Sequence, residues 1–204
     1  VVADALLLFG VATVVVFAGV VQVEGARRPG YDAGYHTGSE LVLGPGGWIM
    51  RINFFLVGAG LLAFAAGVRQ ALDTDGAAAL LGVTGIALIL AGSFAPDPVR
   101  GFPPDSSDRS ARPVTIAAKL HDLTGPIMTL SLSAACLTVA ASLAGPWAVY
   151  SLATAVVGLM MTGWLISAYR RDAANTGLVQ RILLATYGLW VVVFGVSLAL
   201  GAVA

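Results

Sequence analysis

From Asp4 to Val23 the chain reads DALLLFGVATVVVFAGVVQV, and no residue between Asp4 and Glu24 carries a charge. As a helix this run would span roughly 30 Å, the thickness of a bilayer's hydrocarbon core. The apolar residues are continuous rather than alternating, which excludes a lipid-facing barrel strand. A helix also satisfies its own backbone groups where no water can. The run lacks the basic flank and the small-residue cleavage site of a secretory signal, so it is read as a true membrane span.

Five further stretches repeat the pattern. They run from about Trp48 to Val68, Ala77 to Phe94, His121 to Leu143, Trp147 to Tyr169 and Ile182 to Val203. The expected fold is an all-α, integral-membrane six-helix bundle, one domain over residues 1–204, multi-pass in the cell membrane. The composition agrees. The chain is 58% hydrophobic and only 11% charged, with a mean hydropathy of +0.88. Soluble domains carry about 25% charged residues. Eleven basic and eleven acidic side chains cancel, so there is no electrostatic case for nucleic acid. A single cysteine excludes a disulfide scaffold or a multi-cysteine zinc module.

The connections are uneven. Glu24 to Gly47 and Ala95 to Leu120 are long and polar, and Arg170 to Arg181 is of middle length. The other two turn tightly, at Asp73-Thr74-Asp75-Gly76 and Gly145-Pro146. Six spans therefore put all three larger connections on one side, the loop face. Of the basic residues, only Arg69 belongs to the opposite side. The positive-inside rule then places the loop face in the cytoplasm.

Both histidines lie at the loop face, as do all carboxylates except Asp4, Asp73 and Asp75. His121 and Asp122 stand where the second long loop gives way to apolar helix. Ionisable groups at membrane depth usually face a cavity or a partner. Pro126 cannot donate to the Asp122 carbonyl and should loosen the helix there. Gly125, Thr129, Ser133 and Cys136 follow His121 at helical spacing, either as a cavity wall or as small-residue helix packing. A carboxyl buried beside apolar helices can hold a proton and donate it. The candidate catalytic set is thus His121, Asp122, Glu40 and Asp105. His36, Arg51, Asp97, Arg100 and Arg181 are candidate substrate-binding residues, with the arginine forks suited to an anionic head group. Snorkelling or structural pairing explains the same arginines. Four prolines, at 96, 98, 103 and 104, stiffen the loop that presents Asp97 and Asp105.

His36, Glu40, His121 and either aspartate are metal-ligand types, but no HExxH occurs and neither histidine has a second within five residues, so no metal is assigned. No cofactor is expected. The only lysine, Lys119, sits at a helix mouth rather than mid-span, and no CxxCH, P-loop or dinucleotide fingerprint occurs. Trp48, Trp147, Trp164 and Tyr169 fall near span ends and read as an interfacial belt.

Tyr31 to Leu41, the Phe94-Ala-Pro-Asp97 and Gly101-Phe-Pro-Pro-Asp105 segments, the His121-Asp122-Leu-Thr-Gly125 opening and Gly177-Leu-Val-Gln-Arg181 resemble a prokaryotic family of six-helix membrane proteins of unknown function. The resemblance covers nearly the whole chain. A fainter similarity runs to the eukaryotic six-helix group of autophagy modulators and GPI-lipid remodelling factors. There a polar loop precedes helix two and a histidine opens helix four. This chain has Gly38-Ser39-Glu40 where that group shows Ile-Ser-Asp. The fainter similarity implies lipid handling and an extracytoplasmic loop face, against the arginine distribution.

Three functional readings follow. The first is a loop-face cavity that binds or processes a lipid or prenyl-like amphiphile. The second is an accessory subunit of a larger membrane complex, suggested by Gly58, Gly60, Gly67, Gly82, Gly85 and Gly92 on helices two and three. The third is a small transporter, which the absence of ionisable residues near mid-span disfavours.

Overall fold

A computed structural model describes residues 1–72, 74–104, 106 and 113–203. Among them lie six long helices and no strand: α1 (Val2–Arg27), α2 (Gly47–Leu72), α3 (Asp75–Ser93), α4 (Ile116–Ser142), α5 (Gly145–Arg170) and α6 (Thr176–Ala199). Each is long and apolar enough to cross a membrane, with hydropathies between 1.6 and 2.5 over the most apolar window. A single 3-10 turn, Gly38–Val42, interrupts the first long loop.

The helices outrun the apolar stretches because their first or last turns are polar. Thr115 caps α4, its hydroxyl oxygen accepting from the Ala118 amide at 3.1 Å. Helix six starts at Thr176 because the first long loop supplies acceptors there. The Gly177 and Leu178 amides donate to the Tyr35 and Gly34 carbonyls at 3.1 and 2.8 Å. These amides would otherwise be unpaired at the start of a helix. Between α4 and α5 the chain reverses at Gly145, whose φ of +66° favours glycine.

Each helix packs against its neighbours in sequence, and α6 returns to α1, so the six form a closed ring. Large apolar side chains such as Leu130, Val149, Met160 and Leu189 point outward and stay exposed. That surface belongs in lipid, not water. Inside, Phe64, Trp190 and Phe194 are fully buried, with Trp190 stacked on Phe194 at 4.9 Å between ring centres. Trp48 and Trp164 are half-exposed or more near helix ends, as an interfacial belt requires.

The glycines of α2 and α3 are used within the ring. Gly58 and Gly85 oppose one another, and a Cβ on either would fall 2.7–2.8 Å from the other's carbonyl oxygen. Gly60 and Gly67 lie against Thr13 and Leu7 of α1, and Gly92 against Phe54. Gly82 has only Leu62 within reach. The feature that motivates a scaffold reading is thus largely taken up by the chain's own helix crossings.

Candidate functional site: a two-part chamber beneath the loop face

The first long loop is fastened before it can contribute to a site. Thr37 and Glu40 form a capping box around the 3-10 turn. The Thr37 amide and hydroxyl donate to Glu40 Oε1 at 3.1 and 2.9 Å. Arg28, at the end of α1, donates to the Leu41 and Leu43 carbonyls at 2.6 and 2.9 Å and also to that of Pro45. Arg181 reaches across from α6 and donates to the Ala33 and His36 carbonyls at 2.5 and 3.1 Å and to the Tyr31 hydroxyl at 2.8 Å. Arg100 lies between the Tyr35 and Tyr169 rings, 4.8 and 4.5 Å from their centres. It pairs with Asp172 at 3.0 Å and donates to the Tyr35 carbonyl at 3.0 Å. Arg51 donates to the Gly92 and Ser93 carbonyls at the end of α3, where a cation suits the helix dipole. The three arginines expected to hold a head group thus spend donors on backbone carbonyls.

His36 has a similar role. The Asp32 amide donates to its Nδ1 at 2.8 Å, so Nε2 carries the proton and faces the Arg100 carbonyl at 3.1 Å. Its ring sits among Tyr31, Tyr35 and Phe102, with centres 5.1–5.5 Å apart. Both ring nitrogens are occupied, Nδ1 within the first long loop and Nε2 in tying it to the second. Asp97 accepts from the Thr115 amide and hydroxyl at 2.9 and 2.7 Å, which ties the proline-rich segment to the start of α4. Asp105 lies outside the described residues.

Glu40 and His121 do come together, as walls of one cavity. It has a volume of about 540 Å³ and is enclosed by the 3-10 turn and the loop-face ends of the helices. Glu40 is buried. Its Oε1 is bonded to Thr37, whereas Oε2 has no hydrogen-bond partner among the described residues. Burial pushes the Glu40 carboxyl above its ordinary range, opposed by the Thr37 bonds and by the nearby His36 and Arg100. His121 is buried and its Nδ1 lies 2.8 Å from the Phe94 carbonyl and 3.1 Å from that of Ala91. Two carbonyl acceptors at Nδ1 place a proton on that nitrogen, so in the neutral ring Nε2 keeps its lone pair. Asp122 stands at the exposed rim of the same cavity, with Gly125, Ile166 and Tyr169. The chamber therefore reaches the outer surface between α4 and α5.

A second cavity of about 500 Å³ adjoins the first and is almost wholly apolar. Phe17, Leu88, Met128 and Leu184 line both. It extends from buried Val57, Leu61 and Leu132 to exposed Val15 and Leu189, and so reaches the lipid-facing surface between α1 and α6. Below Gly125, the small-residue stripe of α4 leaves the chamber wall. Ser133 meets the Tyr187 hydroxyl at 2.6 Å, and Tyr187 donates to the Thr129 carbonyl at 3.2 Å. Thr129, Ser133 and Cys136 are buried in helix contacts.

Sequence reasoning passed over Arg28, Thr37 and Gln180. Gln180 lines the chamber, and its Oε1 accepts from the Gly38 amide at 2.7 Å. Thr37 was legible as the first member of a Thr-x-x-Glu capping box ahead of Leu41 and Val42. Nothing in the sequence marks Gln180 apart from its place at the start of a span.

No curated protein and no solved structure shows significant similarity to the chain. A family profile described as "Protein of unknown function (DUF998)" matches residues 11–197. The similarity to the eukaryotic six-helix group is not among the matches. This multi-pass membrane chain is a member of the DUF998 family.

Proposed function

We propose that the chain holds a lipid or prenyl-like amphiphile, its polar end beside Glu40 and His121 and its hydrocarbon part in the adjoining apolar cavity. The observation that carries this reading is the juxtaposition of two cavities. One below the loops, with Glu40 and His121 in its lining, shares walls with a more apolar one that opens toward lipid. Ligand sites are concave, mostly apolar and provided with a few convergent polar groups. Proton transfer at the polar end falls to His121, accepting through Nε2, with Glu40 as the buried carboxyl beside the same space. Asp122 is placed to act from the rim.

The test is native mass spectrometry of gently solubilised protein, wild type beside Gly125→Leu and His121→Ala. Gly125 lines the chamber and a Cβ there meets nothing within 4 Å, so leucine is the larger side chain chosen to reduce the chamber's volume. Wild type should retain a lipid-sized mass that Gly125→Leu loses and His121→Ala holds less well. Equal retention in all three, or no bound mass in any, overturns the reading.

A further inference from the structure

We infer that the ligand enters sideways, from the loop-face leaflet of the bilayer, through a slot between α1 and α6. The inference rests on the amphiphile reading above and adds to it the route and the leaflet that supplies the ligand.

The slot is bounded along the seam of the two helices. Toward the short-turn end they close on one another, where a Cβ on Gly195 of α6 would fall 2.9 Å from the Val11 side chain of α1. At the loop end, Gly25 of α1 lies against Tyr31 and Arg181. Between these contacts the apolar cavity opens, with exposed Val15, Ala18 and Gln22 on one side and exposed Ala185 and Leu189 on the other. No residue of α1 before Val14 and none of α6 after Val192 lines it. Within the apolar runs Asp4 to Val23 and Ile182 to Val203, the lining therefore uses only the loop-face halves. Polarity along the slot follows the order found in a leaflet. Gln22 and Arg181 stand at its loop-face edge, and Val15 and Leu189 lie deeper. Thr84 and Tyr187, the hydroxyl-bearing residues of the lining, are bonded to Ser131 and Ser133 at 2.8 and 2.6 Å. An amphiphile standing in that leaflet can slide in with its polar end level with Gln22 and its chain among apolar side chains. No polar group then has to cross hydrocarbon, which would be costly. The other routes lead elsewhere. The three loop-face connections are tied together at Arg100, between Tyr35 and Tyr169 and paired with Asp172. The mouth between α4 and α5 opens onto the chamber, and no α5 residue lines the apolar cavity.

The experiment adds a lysophosphatidylcholine, with a diazirine near its chain end, to the outside of proteoliposomes holding the full chain with Ala33→Cys. A membrane-impermeant biotin maleimide allows molecules with an outward loop face to be captured apart from the rest. After illumination, adducts are mapped by peptide mass spectrometry. Val57, Leu61 and Leu132 are buried behind the slot, so an adduct there reports a chain inside. Interior adducts should be found in the captured molecules and not in the rest. Ala185→Trp and Ala18→Trp, which fill the slot from its two sides, should each lose them, and either suffices where it melts as wild type does. Ala153→Trp, exposed on α5 and outside both linings, should keep them. Interior adducts that survive the slot variants, or arise equally in both fractions, overturn the route and leave the amphiphile reading standing. No interior adduct in any sample also overturns the route. A lipid-sized mass retained in native mass spectrometry then keeps the amphiphile reading, and its absence removes both.

Discussion

At the scale of single residues, the same side chain supports opposite readings until its hydrogen bonds are known. Arg181 has a planar fork suited to an anion, yet its two terminal nitrogens donate to the Ala33 and His36 carbonyls and the Tyr31 hydroxyl, and the buried Nε is left without a partner among the described residues. Replacing it with lysine keeps the charge and loses the fork. Arg181→Lys should therefore lower thermal stability in detergent by about 2 kcal/mol, the range for charge-assisted bonds. Unchanged melting with lost ligand retention would instead make Arg181 a head-group residue. Glu40 gives a prediction with a sign. Its carboxyl is raised by burial above the unfolded value, so the native state binds more protons than the unfolded state once the pH passes that value. This contribution is fully present below the unfolded pKa and is lost as pH rises through the folded one. Glu40→Gln cannot titrate. The difference in melting temperature should therefore shift in favour of the variant as pH rises above about 4.5, and a constant difference between pH 4 and 8 would contradict it. The sequence marked Glu40 and His121 as ionisable groups at the loop face. It could not show that His36, of the same residue type, has both nitrogens spent, because the partners come from Asp32 and from Arg100 in a different loop.

At the scale of elements, hydropathy located all six helices, since about 20 consecutive apolar residues match the length a bilayer core demands of a helix. Their ends were less legible. Helix four begins five residues before His121 because Thr115 caps it and Asp97 holds Thr115, and neither contact has a hydropathy signal. Thr115→Ala removes the cap and one of the two bonds to Asp97. It should cost about 1–2 kcal/mol and loosen the segment that carries Phe94, whose carbonyl orients His121. Hydrogen exchange at the start of α4 would report it, and exchange unchanged from wild type would contradict it. The crossing of α2 and α3 is set by glycine in a way that composition only hinted at. Alanine at Gly58 would press on Ile89 and on the Gly85 carbonyl, 2.6 and 2.7 Å from the new Cβ. Backbone cannot yield as a flexible side chain can, so Gly58→Ala should destabilise the bundle by about 1–3 kcal/mol. Gly125→Ala, with open space around it, should leave the melting temperature nearly unchanged. The contrast between the two variants, measured in one detergent, checks the crossing itself.

At the scale of the whole molecule, the ring converts a linear pattern of apolar runs into an interior with two ends of unequal character. One end is closed by short turns. The other carries the two long loops and the α5–α6 connection, braced by Arg28 within the first loop and by Arg100 and Arg181 across elements far apart in sequence. That asymmetry predicts a labelling pattern. Ala33 and Ala174 are exposed in loops of the chamber end, and Ala144 is exposed at the opposite end. The one native cysteine, Cys136, is fully buried, so single cysteines can be introduced over a quiet background. A membrane-impermeant maleimide should reach Ala33→Cys and Ala174→Cys from one side of the bilayer and Ala144→Cys only from the other. Labelling of Ala33→Cys and Ala144→Cys from the same side would break the six-span arrangement. The experiment also fixes orientation. Several loop-face arginines are committed to the fold and Arg27 is paired with Glu24 at 3.3 Å, but exposed Arg170 and Arg171 remain there, whereas Arg69 is paired with Asp75 at 2.6 Å. The surplus of exposed positive charge still favours a cytoplasmic loop face. Ala144→Cys should then be labelled in intact cells and the other two only after permeabilisation. The reverse pattern would put the chamber mouth on the extracytoplasmic side, where its ligand would come from the outer leaflet.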